Sequence, residues 1–101
     1  MTPEQKVCFR AAQLIERHGF AHRDYETKEG CLCIIGAVRK AASGSALEYS
    51  NYANDAATLV RSALGDDEKP LLSDNIPKWN DTHTAEEAID LLVACSMTTF
   101  D

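Results

Sequence analysis

A chain of 101 residues with 45% hydrophobic and 26% charged side chains has the composition of one folded domain and leaves no room for a second core. Its formal net charge of −6, with no cluster of Lys or Arg, disfavours direct DNA or RNA binding, which works by displacing counterions from phosphates. The same acidity suits an encounter with a basic partner protein.

The opening residues MTPEQKVCFR lack the basic-then-apolar order of a signal peptide. No apolar run approaches the roughly 20 residues of a membrane span. The expectation is a cytoplasmic protein with no membrane partner. In that reducing setting Cys8, Cys31, Cys33 and Cys95 are expected to be free thiols, with no disulfide and no zinc.

The first helix is marked by Thr2 and Gln5 at capping-box spacing, with Pro3 at the first helical position. Val7, Ala11, Leu14, Ile15 and His18 then share one face, opposite Lys6, Arg10, Gln13 and Arg17, and Gly19 is a natural stop. Residues 22–30 are polar and turn-like. CLCIIGAVRKAASG follows, apolar enough at its start for a buried strand. Arg39 and Lys40 near the C-terminal dipole, the alanines and Gly44 favour a helix, which would bury Cys31, Ile34, Ile35, Val38, Ala41 and Ala42.

A third helix is expected from near Ser50 to Leu64, stopped by Gly65, with Ala53, Ala56, Val60, Ala63 and Leu64 inward. So many alanines imply close backbone approach to a neighbour. From 65 to 82 the chain reads as one long loop with an acidic tip (Asp66, Asp67, Glu68), anchored by Leu71, Leu72, Ile76 and Trp79. A fourth helix follows a second capping box, Thr84 with Glu87. Ala85, Ala88, Ile89, Leu92 and Cys95 line it, and its broad apolar arc predicts the most buried helix of all.

Four groups of residues bear on chemistry. His18, His22, Cys31 and Cys33 supply metal-ligand types, but their spacing fits no zinc pattern, and on a helix the two cysteines would diverge. A cysteine nucleophile with His18, His22 or His83 as base lacks any strained elbow or oxyanion turn. The carboxylates Asp81, Glu86, Glu87 and Asp90 are explained by capping and the helix dipole. Trp79 reads first as a hydrophobic staple before the capped helix, with Asn80 and Asp81 in turn or cap hydrogen bonds. Its sharper reading is the floor of a ligand or partner pocket. Phe9 stands almost opposite the apolar stripe of the first helix, where either the long loop or a partner would cover it.

The amphipathic first helix, the Cys-rich CLCIIGAVRKAA segment and the Trp-Asn-Asp turn leading into THTAEEAIDLLVAC together resemble a family of small uncharacterised proteins from actinobacteria and their phages. The similarity covers most of the chain, with Cys31, Gly36, Ala37, Trp79, Asn80 and Asp81 as its most recognisable points. It implies a shared fold and origin, and no catalytic residues.

The resulting expectation is an all-α single domain over residues 1–101, four helices with one long packed loop. Its function reads as a non-enzymatic, acidic module that binds another protein, a phage or accessory factor acting on a host component. The alternative is a small-molecule- or metal-binding protein using a pocket near Trp79 or the Cys/His group. Phe9, Trp79, Asn80 and Asp81 are the candidate partner or ligand residues, and no catalytic, cofactor or metal residues are assigned.

Overall fold

The computed structural model describes residues 2–48, 50–64 and 75–97, and its regular structure is helical. Among the described residues there are five helices, with only isolated bridges between Phe20 and Leu32 and between Glu26 and Leu32.

Helix α1 (Pro3–His18) begins as its capping box dictates. Thr2 Oγ1 accepts from the Gln5 N–H at 3.2 Å, and Gln5 Oε1 accepts from the Thr2 N–H at 2.8 Å. Gly19 ends it at φ 103°, a left-handed value that favours glycine. The buried arc holds Val7, Cys8, Ala11, Ala12 and Ile15, with Leu14 at its edge. It is thus centred one position further round than the apolar stripe, because Cys8 packs as a small hydrophobe. His18, expected inward, is exposed at the last residue of the helix.

Helix α2 (Ile34–Ser43) starts later than the apolar run does. Residues 31–33 are extended. The Leu32 N–H donates to the Gly19 carbonyl at 2.9 Å, and the Leu32 carbonyl accepts from the Ala21 N–H at 3.0 Å. Leu32 is thereby fully buried outside any helix, and Cys31, expected in the helical core, is only half-buried before it. Cys33 is the N-cap, its Sγ accepting from the Gly36 N–H at 3.2 Å. A methyl at Gly36 would collide with the Tyr25 carbonyl, so segment 20–33 lies directly on the first turn of α2. Ile34, Ala37 and Val38 are buried, while Ile35, Ala41 and Ala42 are half-buried.

Helix α3 (Asn51–Ala63) is capped by Ser50, whose Oγ accepts from the Ala53 N–H at 3.1 Å. Ala53, Ala56, Ala57 and Val60 form its buried face, whereas Ala63 is exposed and Leu64 half-buried. The expected stop at Gly65, the acidic tip and the anchors Leu71 and Leu72 lie outside the described residues.

Part of the expected long loop is helical. Helix α4 spans Asn75–Thr82. Pro77 reads as a loop former in isolation, but it sits in the first turn, where a missing N–H leaves no hydrogen bond unmade. Ile76 is fully buried.

Helix α5 (Ala85–Ser96) carries the second capping box, with the Thr84 N–H on Glu87 Oε1 at 2.9 Å and the Glu87 N–H on Thr84 Oγ1 at 3.3 Å. Ala88, Leu92, Cys95 and Ser96 are its buried residues. Its share of buried residues does not exceed those of α2, with four of ten, and α1, with six of sixteen; α1 packs against α2, α3 and α5. Helix α3 also meets α2, α4 and α5, and α2 meets α4. No helix among the described residues is long and apolar enough to cross a membrane.

Candidate functional site

Asn80 on α4 is 2% exposed and ties together three parts of the chain. Its Oδ1 accepts from the Ile34 N–H at the start of α2 at 2.8 Å. Its Nδ2 donates to the Ala21 carbonyl at 2.9 Å and to Asp81 Oδ1 at 3.2 Å. A buried amide is tolerated only when its donors and acceptor are matched in this way. The partners are 46 and 59 residues distant, so the side chain is a tertiary clasp and not the local turn or cap expected of it.

Asp81 continues the clasp at the surface. Its Oδ1 also accepts from the Arg23 N–H at 2.9 Å. These bonds, first that from the Arg23 backbone and then that from Asn80, hold its carboxyl below the usual aspartate range. Arg23 has φ 70°, a left-handed value costly for a residue with a Cβ, and its bond to Asp81 helps to hold it there. Next to it, the Tyr25 ring lies 4.9 Å beneath the Arg39 guanidinium of α2, and Glu26 pairs with Lys40 at 2.8 Å.

Segment 23–25, the start of α2 and α4 enclose a cleft of about 430 Å³. Arg23, Asp24, Tyr25 and Asp81 form its polar rim, and Cys33, Ile35, Pro77 and Asn80 complete the lining. A larger hollow of about 540 Å³ runs along Arg10, Gln13, Leu14, Glu16 and Arg17, all on α1. It offers one helix face, whereas the cleft converges three segments, the usual build of a recognition site.

Cys33 sits at a helix N-terminus, a place that often activates a thiol. Here burial dominates the hydrogen bonds from the Gly36 and Ile35 backbones, and the thiol is pushed up. It is a neutral wall group at neutral pH. The other candidates lie elsewhere. Trp79 is half-buried inside α4 and not in the staple position before α5. It stacks on His83 at 3.9 Å between ring centroids and 8° between planes. His83 Nδ1 lies 2.6 Å from the Trp79 carbonyl, and His22 Nε2 lies 2.8 Å from the His83 carbonyl, so Trp79 is linked to His83, the residue before the cap of α5. Phe9 is 42% exposed on the outer side of α1.

The structure therefore joins Asn80 and Asp81 in one site with Arg23, Tyr25 and Cys33, and leaves Trp79 and Phe9 outside it. Among the described residues no three His, Cys, Asp or Glu side chains are grouped to hold a metal ion. All four cysteines are free. Arg23 and Tyr25 carry no local sequence signal, since neither a left-handed arginine nor a carbonyl pressed on Gly36 can be read from neighbouring residues.

A small helical protein with a polar-rimmed cleft between three segments is the class that fold and site define. The chain belongs to a family of unknown function, DUF6197, whose model matches residues 1–96. No curated protein and no solved structure matches it.

Proposed function

We propose that the protein is a non-enzymatic module that binds another protein, and that its cleft receives a basic side chain of that partner. One observation carries the reading. The first N–H groups of α2, which would otherwise make the cleft a site for anions, are taken by Asn80 Oδ1 and Cys33 Sγ. The groups left at the rim favour a cation: Arg23, Asp24 and Asp81 sum to one negative charge (+1 − 1 − 1), and Asp81 stays ionised well into acid. The chain's net charge of −6 would steer a basic partner toward it. The neutral Cys33 thiol supports binding over nucleophilic chemistry. A role as a phage or accessory factor acting on a host protein rests on the sequence resemblance alone.

Capture of partners from a host lysate on immobilised protein tests this, comparing wild type with Asp81→Asn and Phe9→Ser. The expected result is a salt-sensitive partner retained by wild type and Phe9→Ser and lost with Asp81→Asn. Equal retention by Asp81→Asn, or loss only with Phe9→Ser, would move the interface to the outer side of α1. A second reading, a small molecule in the same cleft, is favoured by its volume, which is in the range of ligand sites. Native mass spectrometry of the purified protein separates the two by the mass of anything retained.

A further inference from the structure

Two thiols that do not line the cleft lie where α1, α3 and α5 pack together. Cys8 on α1 is 0% exposed and Cys95 on α5 is 1% exposed. Cys8 Sγ lies 3.8 Å from the Ala56 carbonyl, and Cys95 Sγ lies 3.9 Å from the Leu59 carbonyl. Those carbonyls belong to one helix, α3, three residues apart, which is roughly 4.5 Å along its axis. Both sulfurs are thus set against one short stretch of α3, on two helices that pack against each other. We propose that Cys8 and Cys95 are a redox pair, closing to a disulfide between the first and last helices when the protein meets hydrogen peroxide.

The pair is asymmetric. Interaction with Cys95, with burial, pushes the Cys8 thiol far up, while interaction with Cys8 holds Cys95 below its ordinary range. Cys95 is therefore the sulfur that ionises and reacts with peroxide first. It lies in the last turn of α5, where opening of that turn would admit a small oxidant. The Cys95 thiolate attacks peroxide, an S–O bond forms, the O–O bond breaks, and the departing hydroxide takes up the proton lost by Cys95. The Cys8 sulfur then attacks the Cys95 sulfur. The S–S bond forms, the S–O bond breaks, and a second water leaves with the proton of Cys8. Two thiols and one peroxide become one disulfide and two waters. Cys31 and Cys33 are two apart on an extended segment, where side chains on one face stand roughly 6–7 Å apart, further than a disulfide spans, so they serve as an internal control.

The test is to expose the reduced full-length protein to hydrogen peroxide, then to combine intact mass with non-reducing peptide mapping. The expected product is a monomer lighter by two hydrogens with the Cys8 and Cys95 peptides joined, and with a higher guanidinium midpoint than the reduced form. In Cys8→Ser the cross-link is lost and Cys95 gains oxygen instead. Mapping of the wild type stands alone if that variant does not fold. A Cys31–Cys33 bond, cross-links only between molecules, thiols that stay reduced, or a lower midpoint after oxidation would each overturn the pair.

Discussion

The two sides of the molecule are built on different principles. Where α1, α3 and α5 meet, the contact is made by Cys8, Ala11, Ile15, Ala56, Val60, Ala88 and Leu92, which are small or aliphatic and wholly buried. Where α4 meets α2 and segment 20–33, Ile76 is buried, but registration comes from directed bonds: Asn80 to Ile34 and Ala21, and Asp81 to Arg23. Apolar packing is non-directional and tolerates adjustment, whereas a buried amide with fixed partners specifies one arrangement. The cleft belongs to the second side. A binding site whose walls come from three separate segments needs the kind of contact that fixes their relative placement.

Substitutions separate the two principles. Leu92→Ala should be the most damaging, costing about 2–5 kcal/mol through the cavity it leaves, as measured by denaturant unfolding. Asn80→Ala should cost about 2–4 kcal/mol, because it strands both the Ile34 N–H and the Ala21 carbonyl. A loss below about 1 kcal/mol there would place the strength of this side in Ile76 and not in the clasp. Thr84→Ala should cost about 1 kcal/mol through the lost cap of α5, without altering the cleft.

Asp81→Asn sharpens the comparison through pH. The folded-state value of Asp81 is lowered, so its stabilisation is present above the ordinary aspartate range and is lost as pH falls through the lowered value. The gap in urea midpoint between wild type and Asp81→Asn should be steady near neutrality and close on acidification. A gap independent of pH would show that the carboxylate charge does not hold Arg23. The smallest effect is expected for Phe9→Ser, within about 0.5 kcal/mol, since the ring is 42% exposed. A loss of several kcal/mol would mean that Phe9 is covered by other parts of the chain.

What was legible in the sequence follows the same division. The caps of α1 and α5 could be read because a capping box is complete within four residues, and the apolar arcs because period is a local property. Helix α4 was hidden by Pro77, which marks a loop and a first helical turn equally well. The extended backbone at Leu32 is not legible, because a short apolar run does not reveal its own backbone. Asn80 and Asp81 read in sequence as local turn formers, yet they matter through partners on segment 20–33 and α2. Only the folded chain brings those partners near. Trp79 drew more weight than Asn80 by its size, whereas the small buried amide organises the cleft.

The central claim is that Asn80 fastens α4 to the start of α2. It is tested most directly by native-state hydrogen exchange at the Ile34 amide, in wild type and Asn80→Ala, with the α1 amides of Ala11 and Ala12 as the reference. The account predicts that Ile34 exchanges slowly in wild type. In Asn80→Ala it should lose more protection than the α1 amides, whose loss only follows the fall in global stability. Equal loss at Ile34 and in α1 would contradict it, because the two sides would then open as one unit and the clasp would have no separate role.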